Sequence, residues 1–569
     1  MNTNNFNSVN SIQPELRIIG FSGAEGATKN MTVYESGTDI IIVDCGIGFP
    51  DDELRGVDVV IPDFTYILEN IEKVRGLFVT HGHEDHLGAI PYLLKEANIK
   101  IFTTPIVQGF IRSRLLDRGS QKIHDDVSFY TMVPGGEAVT LGNFSVSAFH
   151  VNHSVPDSVG LAIKTPQGTV LHMADYKIDL APVIDKPMDF AAISNFGKEG
   201  VLCLLSDCLG ANKEGHSKYE QSMKGVFTDL YEKGEGKQII ITTISSNISR
   251  MYQIMDAATK SGRKVVLLGR SINNSVEIAR GLDMLPFSDE LFVSHRDSMK
   301  HSQSELVYIA AGCFGQQGSA LDRISRGEHR DVTLEEDALV IFSADPAPPG
   351  TRIPVERLMD QLTLKGAEVI YTKIQDNLHV SGHGPKGDLE LVASMVNPKY
   401  FIPIGGSVTQ MRAYTSMVKG LGYSTDQVFE MLEGEILEFT ENGALMLDEK
   451  IDVKQVYVDG TDVGEIGEVV IKDREILANE GVFVVVVPYS KTDKQVKGNS
   501  DVITRGFVYV KNSKQLMGTA KDLVNKIIDK SSTDEPWTKL QAKIEQEVSK
   551  LLKKETGRDP MVIVHALYV

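Results

Sequence analysis

The chain has 569 residues, and because a single hydrophobic core stops growing near roughly 250 to 300 residues, two or three domains are expected. Hydrophobic residues at 42% and charged residues at 24% exclude a fibrous or wholly disordered chain, and the net charge of −19 excludes a protein that coats nucleic acid through an overall basic surface. That charge still leaves room for an enzyme that lines one channel with Lys and Arg, or that holds metal ions where a phosphate must sit.

The opening MNTNNFNSVNSIQ has neither the basic start nor the apolar run of a secretory signal, and no apolar stretch reaches the roughly 18 residues that span a bilayer. A cytoplasmic protein without membrane association is expected. Cys45, Cys203, Cys208 and Cys313 are too widely spaced for a disulfide framework or a zinc ribbon and read as reduced thiols.

From the N-terminus, short β-rich runs recur at 32–36, 39–46, 76–81, 144–151 and 169–175, with a helical stretch at 88–97, which predicts an α/β domain. Near-continuous apolar runs at 238–245, 264–269 and 338–344 predict parallel strands covered on both faces. A helix at 390–398 and a strand at 400–404 then predict a return to the first domain, so that the second block is an insertion. Beyond a polar, Gly-rich stretch, EVVIKDREIL (468–477), VFVVVVPYS (482–490) and GFVYVKN (506–512) read as strands alternating with amphipathic helices near 515–530 and 538–553. This tail has too few apolar runs for a core of normal stability, so it is expected to bury surface against a partner chain.

Three of the fourteen histidines fall between 81 and 86, in His81-Gly-His83-Glu-Asp85-His86, between a strand-like and a helix-like run. A backbone leaving a strand through such a turn aims neighbouring imidazoles and a carboxylate at one point, and those groups suit zinc. Further along, His379-Val380-Ser381-Gly382-His383 supplies imidazole, hydroxyl and backbone N–H groups within five residues, a set suited to a phosphate oxyanion. Ser245, Ser246 and Asn247 read on their own as a strand-to-helix N-cap.

The histidine turn is the signature of the metallo-β-lactamase fold. Together with KNMTVYE (29–35), VDCGIGFPDDELRGVDVVIPDFTYI (43–67), THGHEDHLGAIPYLL (80–94), HSVPDSVG (153–160), GRS (269–271), SRGEHR (325–330), HVSGHG (379–384), VYVDGTDVGEIG (456–467) and ITRGFVYV (503–510), it resembles ribonuclease J over roughly residues 15 to 569. The resemblance implies an α/β fold: a metallo-β-lactamase αββα sandwich (15–205 and 371–445) with an inserted β-CASP α/β domain (206–370), a linker (446–465), and a small C-terminal α+β domain for dimerisation (466–569). It also implies two zinc ions, one held by His81, His83, His153 and Asp175 and the other by Asp85, His86 and Asp175. Asp85 or Asp207 would position or deprotonate water, and His383 would stabilise the transition state or protonate the leaving group. Ser245, Ser246, Asn247 and the segment His379 to His383 would hold the 5′ end of a single-stranded RNA bearing a monophosphate. The implied activity is a 5′-3′ exoribonuclease, also able to cut internally, in rRNA maturation and mRNA processing or decay. A homodimer, a higher oligomer or a paralogous partner is expected.

The chain departs from the family at several positions. It reads GCFGQQGS at 312–319, Ser206-Asp207-Cys208-Leu209-Gly210 where the family has Ser-Asp-Ser-Thr-Asn, GFSGAEGATKN at 20–30, and Ser249 in place of a histidine. In FIPIGGS (401–407), Gly405 stands where the family's Pro-Val-His-Gly-Glu puts a zinc ligand. Two readings follow, an active zinc-dependent ribonuclease and a catalytically impaired subunit that binds RNA or an active paralogue.

Overall fold

A computed structural model describes residues 14–21, 28–50, 54–344, 351–375, 377–460, 462–464, 467–490, 492–493, 495–507, 514–532 and 535–569. Most of the N-terminal loop at 20–30 and of the run GFVYVKN lies outside the described residues. The described residues fall into two compact units, one within 1–49 and 60–456, the other within 50–59 and 457–569.

Two sheets form the centre of the first unit. One has eight strands in the order Gly443–Lys450, Glu435–Thr440, Leu16–Gly20, Thr32–Ser36, Asp39–Val43, Val74–Phe78, Ile101–Thr103 and Phe129–Thr131. The other has six, in the order Tyr400–Ile404, Val201–Asp207, Gly168–His172, Val159–Thr165, Phe144–His150 and Val139–Leu141. Tyr34, Ile41 and Phe78 of the first sheet share one buried cluster with Val146, Leu161 and Leu205 of the second, so the sheets pack face to face. The far side of the second sheet is covered by helices Phe190–Glu199, Lys386–Val396 and Val408–Gly420, through Ile193, Leu389, Val392 and Tyr414. The expected sandwich is present.

Between Val201–Asp207 and Tyr400–Ile404 the chain builds a five-stranded parallel sheet, ordered Lys264–Leu268, Leu306–Ala310, Ile239–Thr242, Leu339–Phe342 and Glu368–Ile370. Ile239–Thr242 is buried throughout, as its unbroken apolar run requires of a strand covered on both faces. On its return the chain lays Tyr400–Ile404 parallel to the strand it left, with Cys203 opposite Tyr400 and Asp207 opposite Ile404.

In the second unit Val482–Ser490 pairs antiparallel with Asp501–Arg505 and parallel with Met561–Tyr568, and helices Lys514–Asp529 and Trp537–Thr556 cover one face. Two expectations are corrected here. Residues Glu468–Asn479 form a helix, not a strand: Val469 and Val470 recur seven residues later as Ile476 and Leu477, a helical spacing, and the run VVI concealed it. The unit also has a core of its own, because Leu540, Ile544, Val548 and Leu552 stack along one helix face against Phe483, Val485 and Val487. Among the described residues no helix is long and apolar enough to cross a membrane.

Candidate metal centre

Strand Val74–Phe78 ends five residues before His83, which caps the short helix Glu84–Leu87. The turn between them delivers His81, His83, Asp85 and His86 to one place. His153 joins them from the loop after Phe144–His150, and Asp175 from the loop after Gly168–His172.

Asp175 Oδ2 is the hub. It lies 3.2 Å from His86 Nε2, 3.8 Å from His81 Nε2, 3.9 Å from His153 Nε2 and 4.0 Å from His383 Nδ1. Ligand atoms of His81, His83, His153 and Asp175 lie within 4.8 Å of one another, as do those of Asp85, His86 and Asp175 and those of Asp175, Asp207 and His383. Ligands about 2.0 to 2.2 Å from one ion sit about 3 to 4 Å apart, so each group can close on a cation with small movements.

Hydrogen bonds set which nitrogen of each ring faces inward. Thr80 donates its hydroxyl to Asp44 Oδ2 at 2.8 Å, so its oxygen accepts from His81 Nδ1 at 3.0 Å. That leaves His81 Nε2, which is buried and has no hydrogen-bond partner, with its lone pair toward Asp175. His86 donates through Nδ1 to Asp44 at 2.8 Å, and His153 through Nδ1 to the carbonyl of Gly382 at 2.8 Å. A histidine bound to metal is ordinarily fixed by such a partner on its other nitrogen.

Burial, reinforced by neighbouring imidazoles, holds His81 and His153 well below the usual histidine range, and burial lowers His83 to about 3. Asp175 is buried too, yet the imidazoles around it keep it well below the usual carboxylate range. His81, His83 and His153 are thus neutral beside an ionised Asp175, whereas burial of His86 is outweighed by Asp175, Asp44 and Asp85, which raise it well above the usual histidine range. Three neutral imidazoles and a carboxylate, with one buried ring nitrogen unpartnered, fit a metal cation.

Asp207 stands at the end of Val201–Asp207 and accepts from His383 Nδ1 at 2.8 Å and from the Leu209 N–H at 2.8 Å. Burial would lower His383, but Asp207 and Asp175 outweigh it and raise the imidazole to about 9. Burial raises Asp85 to about 6 against the pull of His86.

Three family models match the chain: "Metallo-beta-lactamase superfamily" over residues 25–190, "Ribonuclease J, beta-CASP domain" over 236–362 and "Ribonuclease J C-terminal domain" over 469–569. Ribonuclease J2 of Bacillus subtilis (strain 168) is 32% identical over 96% of this chain and 98% of its own length. Ribonuclease J 1 of Streptococcus pyogenes serotype M3 is 34% identical over 97% of this chain and 98% of its own. The chain belongs to the ribonuclease J family. It is a metal-dependent ribonuclease with a metallo-β-lactamase domain, an inserted β-CASP domain and a ribonuclease J C-terminal domain. A crystal structure of a protein of unknown function from Enterococcus faecalis V583 shares the fold, with a TM-score of 0.50 at 15% identity, over 76% of this chain and 100% of that one.

Within this ribonuclease J chain, Asn247 caps helix Ile248–Lys260, its side-chain oxygen accepting from the Arg250 N–H at 2.9 Å. Ser245 and Ser246 form the half-buried turn before it. Three residues after Asn247, Arg250 donates to the carbonyl of Leu378 at 2.8 Å, which ties this turn to the segment His379 to His383. In that segment Ser381 Oγ accepts from the His383 N–H at 3.1 Å, Val380 is buried, and His379 Nδ1 is buried without a hydrogen-bond partner. Gly382 packs so closely on His153 that a Cβ there would sit 2.6 Å from the ring.

Position 405 does face the metal centre. A Cβ on Gly405 would lie 3.3 Å from Asp175 Oδ1 and 3.9 Å from Asp207 Oδ1, and the residue adopts φ +68°. Sequence reading missed Asp44, Thr80 and Asn30, which position the candidate ligands without belonging to a donor group themselves. Asn30 donates to the Asp85 carbonyl at 3.1 Å and to His86 Nε2 at 3.0 Å. The strand-end Asp of VDCG was the available signal.

Proposed function

We propose that this ribonuclease removes nucleotides from the 5′ end of single-stranded RNA bearing a monophosphate, and also cuts internally, in rRNA maturation and mRNA processing or decay. The observation that carries this reading is the hydrogen bond from His153 to Gly382: a segment suited to a phosphate is tied directly to an imidazole of the metal centre. His81, His83, His153 and Asp175 would hold one zinc, and Asp85, His86 and Asp175 a second. Bound there, two divalent cations supply positive charge for the phosphodiester oxygens and make a nearby water more acidic.

The side chains do the rest. Asp85 accepts a proton from the attacking water. Asp207 fixes His383 through Nδ1, which leaves Nε2 to donate a proton to the departing oxygen. Ser245, Ser246, Asn247, His379, Val380, Ser381, Gly382 and His383 line the place of the 5′ phosphate, with Asn247 also holding the helix end. Products carry 5′-phosphate and 3′-hydroxyl ends. The chain would work in the cytoplasm, a reading supported by its four buried, unpaired cysteines. Residues 466–569 would mediate self-association or pairing with a paralogue. Ile503 and Ile563 flank Val484 in one row on the open face of their sheet and are 46% and 42% exposed.

A subunit that binds RNA without cutting is the weaker reading, because both donor groups of the centre remain assembled despite Gly405. The test compares RNAs with a 5′-monophosphate and a 5′-triphosphate. The monophosphate substrate is expected to be degraded several-fold faster, and equal rates would remove the pocket. Deleting residues 466–569 is expected to shift the protein to a smaller species on a sizing column, and an unchanged state would remove the association.

A further inference from the structure

In open parallel sheets, ligands sit at the carboxyl ends of the strands. In the β-CASP sheet that edge carries the Ser245 to Asn247 turn, after strand Ile239–Thr242. Two strands along, a spacing of about 10 Å, the end of Lys264–Leu268 opens on a cavity of about 310 Å³. Arg270, His295, Arg323, His329, Arg330 and Asp331 are among its lining residues.

In a chain of net charge −19 this is a concentration of cations. Arg270 pairs with Asp117 at 3.4 Å, while Asp331 is shared between His295 at 2.7 Å and Arg330 at 3.7 Å. Arg323 has no acidic partner among the described residues. Three guanidinium groups thus face two carboxylates. His329 accepts the Asp331 N–H on Nδ1 at 3.3 Å, which leaves its Nε2 as a donor. Burial, aided by Arg323, keeps that ring below the usual histidine range, hence neutral near pH 7. Gly269 adds no side chain as the cap of helix Arg270–Gly281, so the positive end of that helix also lies at the cavity. Planar guanidinium forks match phosphate oxygens.

The cavity is also connected to the metal centre. Arg270 and Asn274 bond Asp117 and Ser113 near the end of helix Pro105–Asp117. That helix places Phe110 against Gly82 of the histidine turn. The part of this helix from Phe110 to Asp117, seven residues or about 10 Å along its axis, therefore links the histidine turn to the rim of the cavity.

We propose that this cavity is a second phosphate-binding site, which holds an internal phosphodiester of the RNA strand whose 5′ end is engaged at Ser245 to Asn247 and His379 to His383. The proposal rests on the ribonuclease reading above. Its ligand chemistry is that of a phosphate ester, and its source is the RNA backbone rather than a free anion.

The test measures binding of a cleavage-resistant 2′-O-methyl RNA of about twenty nucleotides with a 5′-monophosphate, across a salt series, to the metal-loaded full chain. Each phosphate contact to a single strand contributes about 0.7 to the slope of log affinity against log salt, so Arg323→Ala with Arg330→Ala, which empties a site for one phosphodiester, should flatten it by about 0.7 and weaken binding about fivefold near 0.1 M salt. Arg323→Lys with Arg330→Lys keeps the charge and should retain the slope, as should Lys550→Ala on the C-terminal unit. An unchanged slope in the double alanine variant overturns the proposal. So does loss of inorganic phosphate binding with RNA binding intact, which would make the cavity a small-anion site. If the unmodified protein binds no RNA at all, the ribonuclease reading falls first and takes this one with it.

Discussion

Of the three donor groups that share Asp175, the two that draw on the histidine turn differ in how they are completed. His81, His83, His153 and Asp175 form a set of four. Asp85, His86 and Asp175 form a set of three, and the position that faces them from the returning strand carries no side chain. Within one chain, then, one donor group offers four ligand atoms and its neighbour three. Four ligands can complete a tetrahedral shell without help, whereas three leave a position for water or substrate. The contrast predicts tight, possession-like binding at the first site and dependence on added metal at the second.

Removing the shared residue should abolish the contrast with the largest effect. Asp175→Ala takes a ligand from both groups. RNA cleavage is expected to fall by more than about a hundredfold, the upper range seen for merely removing a ligand's supporting partner, with zinc per chain reduced at both sites. Retention of both metals by mass spectrometry would show that the hub is elsewhere.

Asp44→Asn should sharpen the contrast instead. Asp44 accepts directly from His86 Nδ1, but reaches His81 only through Thr80. Loss of second-site affinity by about 10- to 100-fold is expected with the first zinc retained. Titration of chelated protein with zinc would show two steps moving apart, and equal weakening of both would contradict the separation.

The smallest effect is expected for Gly405→His. At φ +68° a side chain costs about 1 to 2 kcal/mol, although histidine is among the residues found more often in that region. A small drop in Tm should accompany tighter second-site binding and faster cleavage at limiting zinc. Adding Asp85→Ala should cancel both gains. If stoichiometry and rate stay unchanged in a folded protein, some other group already completes the second site.

How much of this was legible in the sequence depended on how far apart the cooperating residues lie. His81, His83, Asp85 and His86 are neighbours in the chain, so their convergence could be read from their spacing. Asp44 and Thr80 act through a contact between two strands, and nothing in the local pattern around either residue announces it. The strands themselves followed from apolar runs, because strands such as Asp39–Val43 are buried along their whole length, whereas their αββα layering followed only from the family resemblance. Glu468–Asn479 was misread because three consecutive β-branched residues outweighed the seven-residue recurrence behind them. The open left-handed geometry of Gly405 was not legible at all, since glycine tolerates either sign of φ.

Strand Tyr400–Ile404 pairs with Val201–Asp207 across a sequence separation of roughly two hundred residues, and contacts so distant form slowly because a long loop must close first. All six candidate ligands lie before that loop, while His379 to His383 and position 405 lie near or after its end. During synthesis the metal-binding groups therefore emerge long before the segment that receives the phosphate. A nascent chain at that stage holds all six candidate groups but neither the Gly382 carbonyl that fixes His153 nor the segment that would engage an RNA end, including that of the message being translated.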